Sequence, residues 1–121
     1  MDEAARQLAL VKTAICSGLS NCVFWKSEQL IKRCFADANL RGCSPSSVIR
    51  LLREWIQDYG GTIVQRVETR ENWRDEFDFV YEILIPVDGL PRELLVEVVL
   101  HDDDEDYPEV AIVSCHLTSF P

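Results

Sequence analysis

Basic residues, glycine and long apolar runs are all scarce in this chain. Lys and Arg together number 12 against 21 Asp and Glu, for a formal charge of −9 and a pI near 4.6. That deficit argues against a general nucleic-acid or anionic-membrane surface, because both draw their affinity from basic side chains. No apolar stretch approaches the roughly 20 residues that a membrane span requires. The five glycines form neither G-x-G-x-x-G nor G-x-x-x-x-G-K-[ST], so a phosphate-cradling loop is missing. G-x-S-x-G and H-E-x-x-H are missing too, and with them the serine-hydrolase elbow and the helical zinc-protease site. The five cysteines, Cys16, Cys22, Cys34, Cys43 and Cys115, contain no C-x-x-C pair. Zinc-ribbon and thioredoxin-like spacing is therefore excluded. An odd cysteine count, behind an N-terminal stretch carrying Asp2, Glu3, Arg6 and Lys12, implies reduced thiols in the cytoplasm. Neither a metal nor a cofactor is expected.

What is present suits one domain over 1–121. Of the 121 residues 47% are hydrophobic, enough for a packed core. The helical signals fall within 2–59. Ala4, Leu8, Val11 and Ile15 recur at helical spacing from Asp2 to about Ser17, and Gly18 is a natural stop. Val23, Phe24 and Trp25 lie in a connection, too apolar for a bare loop and expected to tuck against the core. Ser27 caps a second helix, which carries Leu30, Ile31, Cys34, Phe35 and Ala38 and ends near 39–42. Ser44 caps a third helix with Pro45 at its first position. Its stripe of Val48, Leu51, Leu52, Trp55, Ile56 and Tyr59 is one broad apolar face that a downstream sheet would cover.

The period changes to two over 61–120. Strands are expected at 62–70, 77–87, 94–101 and 109–117, joined by short links. Asp88-Gly89-Leu90-Pro91 supplies one turn and the tract His101 to Asp106 another. The fold class is thus α+β, with two to three N-terminal helices packed on one face of a four-stranded antiparallel meander.

Alternation sorts the two faces. Leu94, Val96, Val98 and Leu100 point to the helices, so Leu95, Glu97, Val99 and His101 point away. The expected inward sets elsewhere are Phe77, Phe79, Tyr81, Ile83 and Ile85, and then Ala111, Val113, Cys115 and Leu117. Val110, Ile112, Ser114 and His116 take the far side, with Asp78 and Glu82. The outer face therefore gathers Arg66, Glu68, Arg70, Glu82, Glu97, His101, Ser114 and His116, including both histidines of the chain. Histidine moves protons near neutrality, carboxylates orient it or share its work, and arginine holds phosphate. Those are the parts of a metal-free phosphodiester-cleaving site. His101 and His116 would be acid and base, Glu97 and Glu82 the carboxylates, and Arg66 and Arg70 the phosphate holders. The competing reading is a solvated face carrying cross-strand Arg–Glu pairs. Likewise Asp102, Asp103, Asp104, Glu105 and Asp106 form either a hairpin kept soluble by charge or a surface for a basic partner; the EF-hand pattern is absent.

The phrasing of the chain resembles a known family. Val11-Lys12 leads through Ile15 to Gly18, Ser27 opens a helix, and Leu40 and Gly42 precede a helix with Val48, Ile49 and Leu51. Val80-Tyr81, the run Leu95-Val96-Glu97-Val98 and the segment from Val110 to Ser114 follow. Taken with the order of elements, this is similar to the small mRNA interferase toxins of the MqsR and RelE type. The resemblance implies a toxin-like, metal-independent endoribonuclease acting on single-stranded RNA, with an antitoxin as protein partner. Such toxins are basic and use lysine, arginine, glutamine or tyrosine on the sheet. Here only Tyr81 and the arginines match, and RNA would need a locally basic pocket around Arg66, Arg70 and Arg74. The acidity supports the alternative, a non-catalytic binding or inhibitor protein that engages a basic nucleic-acid-handling enzyme.

Overall fold

The computed structural model describes residues 2–118. Helix α1 is Glu3–Cys16, capped by Asp2, whose Oδ1 accepts the Ala5 N–H at 2.7 Å. It buries Leu10, Val11, Ala14 and Ile15. Strand β1, Val23–Trp25, comes next. Helix α2 is Glu28–Cys34, with Ser27 Oγ accepting the Leu30 N–H. It stops short of the expected end near 39–42. Asp37 Oδ1 accepts the Asn39 N–H at 2.9 Å and starts a separate 3-10 turn, Ala38–Leu40. A short acidic side chain that bonds its own backbone competes with helix continuation. Helix α3 is Pro45–Gln57, closed at its start by a reciprocal capping box between Ser44 and Ser47. Val48, Leu52 and Ile56 are its buried stripe. Tyr59, expected in that stripe, lies past the helix end and is 73% exposed, its ring leaning on Trp55.

The remaining strands are β2 (Val64–Val67), β3 (Phe79–Ile85), β4 (Leu94–Asp102) and β5 (Glu109–Leu117). They join β1 in one sheet of order β1-β5-β4-β3-β2. The expected four-stranded antiparallel sheet is thus a five-stranded mixed one. Val23, Phe24 and Trp25 pair in parallel with Val110, Ala111 and Ile112. Three residues are too few to display a period, and parallel pairing requires a crossover that leaves no local trace. The crossover is the helical segment itself. From β1 at one edge the chain passes through α2 and α3 to β2 at the opposite edge, then meanders back to β5. The last expected strand, 109–117, matches β5, and residues 119–120 of the expected sheet part 61–120 fall outside the described residues.

The helices cover one face, α1 over β4 and β5, α2 over β5, α3 over β3. Their core includes Leu94, Val96, Val98 and Leu100 from β4 and Tyr81, Ile83 and Ile85 from β3, as alternation requires. Strand β5 departs from expectation. Val110 and Ile112 join this core together with Cys115, while Ala111 and Val113 are buried on the outer face. The cause is a bulge. Glu97 pairs with Ser114 but Val98 pairs with Ile112, which leaves Val113 as an extra residue. One unpaired residue reverses the alternation on either side of it. Phe77 is a second correction. It precedes β3, and with Val80, Val99, Ala111 and Val113 it forms a small outer cluster roofed by Trp73 and Phe24. The β2–β3 connection therefore folds back over half of the outer face.

The join between α3 and β2 depends on backbone approach. Gly60 has φ 64°, and a Cβ on Gly61 would fall 2.2 Å from Trp55 Nε1. Gly61→Ala must push the indole away from the sheet end. The expected cost is about 1–3 kcal/mol by urea unfolding, whereas Gly42→Ala, which meets nothing within 4 Å, serves as the control.

Candidate functional site

Cross-strand rows order the outer face. One row reads Leu84, Leu95, His116, the next Val64, Glu82, Glu97, Ser114, and the next Arg66, Val80, Val99, Ala111, Phe24. Trp73 and Phe77 cover the apolar members of the third row, so the first two rows are the open half.

In the open half the register sets Glu82 directly against Glu97. Like charges in that position are unfavourable, and two arginines offset them. Arg66 Nε donates to Glu82 Oε1, and Arg70 Nη1 lies 3.6 Å from Glu97 Oε1. Arg70 also grips Glu68, with Nε to Oε1 at 2.9 Å and Nη2 to Oε2 at 2.9 Å, while its backbone N–H donates to Oε1 at 3.0 Å. Glu68, 4% exposed, is the only charged residue in the buried set among those described. The Arg70 guanidinium holds its carboxyl below the usual carboxylate range, and Glu68 in turn raises Arg70. Both arginines expected to hold phosphate are thus engaged by carboxylates.

The two histidines share the face but not a site. His116 is opposite Leu95, and its Nδ1 lies 3.3 Å from Ser114 Oγ. His101 is six residues further along β4, as the extra residue of a second irregularity between Leu100 and Asp102. At roughly 3.3 Å per residue their backbone positions stand about 20 Å apart along the sheet. No single phosphate spans that distance, so a joint acid–base pair is not assembled. Tyr81, the other residue carried by the family resemblance, is 0% exposed, with its hydroxyl 3.1 Å from Gln65 Nε2. Burial pushes its phenol pKa up.

His101 sits instead at the wall of a cleft of about 240 Å³ with Gln7, Glu76, Asp78, Phe79 and Asp103. Its ring meets Phe24 edge-on at 5.0 Å. Gln7 Nε2 donates to Asp78 Oδ2 at 3.0 Å, and Lys26 Nζ lies 3.3 Å from Glu76 Oε1. Beside this cleft the acidic hairpin is ordered by its own side chains. Asp102 Oδ1 accepts the Asp104 N–H, and Asp104 Oδ1 accepts those of Asp106 and Tyr107. Arg6 ties the hairpin to α1, bonding Asp103 at 2.8 Å and Glu105 at 3.0 Å as well as Glu3. The Glu3 carboxyl is held down to about 2 by Arg6 and then by Gln7. Glu76 and Gln7 escaped sequence reasoning, since neither lies on a strand. Trp73 did as well, although an aromatic residue inside the polar run 71–76 was an available signal.

Among the described residues no group of three or more His, Cys, Asp or Glu is arranged to hold a metal ion. No helix among them is long and apolar enough to cross a membrane. Fold and surface together define an α+β protein with a helix-covered sheet and a preorganised anionic end. In comparisons with family models, curated proteins and solved structures, the chain matches none.

The Glu68–Arg70 pair sets an acid limit. Because the folded pKa of Glu68 lies below its ordinary 4.5, its contribution is complete above that value and drains as pH falls through the folded pKa. Glu68→Gln is expected to lower stability at neutral pH by roughly 1.5–3 kcal/mol and to flatten stability against pH below 4.5. Denaturant titrations at stepped pH check both. An unchanged acid slope would place the proton uptake elsewhere.

Proposed function

We propose that this chain is a non-catalytic acidic binding protein that engages a basic, nucleic-acid-handling partner in the cytoplasm. The observation that carries this reading is the ordered anionic end of the sheet, where the Asp102–Asp106 hairpin borders a cleft lined by Glu76, Asp78 and Asp103. Asx turns and Arg6 hold those carboxylates in place before any partner arrives, which reduces the ordering cost of association. With a formal charge of −9, the chain would steer a cationic partner and mimic the charge of nucleic acid. The likeness to interferase toxins is then one of element order, helices followed by a meander. The ribonuclease reading loses support from the matched arginines and from the separation of the histidines.

The test uses a fluorescent arginine-rich peptide as probe. Binding is expected to weaken with added salt. It is also expected to weaken at least roughly tenfold in a variant with Asp102, Asp104 and Asp106 all changed to Asn. Asparagine keeps the oxygens that accept the turn hydrogen bonds, so the loop survives while its charge is removed. Binding indifferent to both salt and the triple change sinks the proposal. So does cleavage of single-stranded RNA in chelator that His116→Ala abolishes.

A further inference from the structure

All five cysteines are free thiols, and two of them meet. Cys34 is the last residue of α2 and Cys115 lies in β5. Strand β1 pairs only with Val110, Ala111 and Ile112, so beyond Ile112 this side of β5 has no neighbouring strand, and α2 packs there instead. The Cys34 and Cys115 thiols lie near enough at that junction to perturb each other. Both belong to the main core, at 6% and 4% exposure. Yet both also line a cleft of about 160 Å³ open to solvent, with Arg33, Asp37, Ser114 and His116. A thiol pair sealed in a core is inert, whereas one at the floor of a polar cleft can be reached by a small oxidant.

We propose that Cys34 and Cys115 form an oxidisable dithiol site whose substrate is a small hydroperoxide, one thiol attacking and the other resolving. The shared cleft sets the pair, and either sulfur can take the first role. In the first step one thiolate of the pair attacks one peroxide oxygen and the O–O bond breaks. That cysteine becomes a sulfenic acid, and the second oxygen takes up a proton and leaves as water. In the second step the other sulfur attacks the sulfenic sulfur, the S–O bond breaks, and hydroxide leaves as water with the attacking thiol's proton. Two thiols and one hydrogen peroxide thus become one disulfide and two waters. The sulfurs lose two electrons and the peroxide gains them. The bond would staple α2 to β5, and a thiol reductant reverses it.

The other cysteines supply an internal control, because Cys16 and Cys43 are more exposed than the pair. Oxidation governed by exposure alone would reach those two first. The experiment treats the reduced full chain with equimolar hydrogen peroxide, alkylates the remaining thiols under denaturing conditions, and maps peptides by mass. The expected product is a Cys34–Cys115 disulfide, lighter by two hydrogens, with Cys16, Cys22 and Cys43 alkylated. In at least one of the variants Cys34→Ser and Cys115→Ser, the remaining cysteine of the pair is expected to accumulate a sulfenic acid that dimedone traps. Preferential oxidation of Cys16 or Cys43, a disulfide from Cys43 to either member, or a Cys34 that stays fully alkylatable would overturn the assignment. The wild-type map decides the matter even where either variant fails to fold.

Discussion

The pairing of β4 with β5 is the constraint from which the rest of the structure follows. β4 buries Leu94, Val96, Val98 and Leu100 towards the helices and also buries Val99 on the opposite side. A strand apolar on both faces must be covered on both. The helices supply one cover. The other comes from the connection carrying Trp73 and Phe77, which reaches only part of the sheet. The outer surface is divided as a result. One half is a small second core and the other is open. The bulge at Val113 makes this possible, because it lets β5 give Ile112 and Cys115 to the helical side while Ala111 and Val113 serve the outer cluster.

The open half shows how register creates and then relieves an electrostatic problem. Pairing sets Glu82 beside Glu97, and Glu68 is buried nearby. Arg66 and Arg70 are the response. Guanidinium suits the task because its fork meets both oxygens of one carboxylate. Arginines used in this way hold the sheet together and are less available to a phosphate. The carboxylates of this face continue into the Asp102–Asp106 hairpin, which is the surface the proposed cationic partner would meet.

Legibility from sequence divides along physical lines. Ser27 and Ser44 were readable as caps because a cap needs only hydrogen bonds to residues two or three positions away. The α3 stripe of Val48, Leu52 and Ile56 was readable because its period is intrinsic to the helix. The β4 alternation was readable for the same reason. β1 was not, since Val23, Phe24 and Trp25 become a strand only by docking on β5. The sides taken by Ala111 and Val113 were not, since a bulge belongs to a pair of strands. His101 and His116 went to one face correctly, but alternation assigns a face and says nothing of position along it. Their separation follows from the register, which sets His116 against Leu95.

Composition and local pattern alone determined the acidic character, the three helix starts, the switch to strand periodicity near Gly61 and the direction of the β4 side chains. Tertiary structure alone decided the fifth strand, the two-sided burial, the commitment of Arg66 and Arg70 to carboxylates, and the meeting of Cys34 with Cys115. The first group rests on forces that act within a few residues of each other. The second rests on pairings between segments far apart in the chain, and these are selected only when the whole core closes.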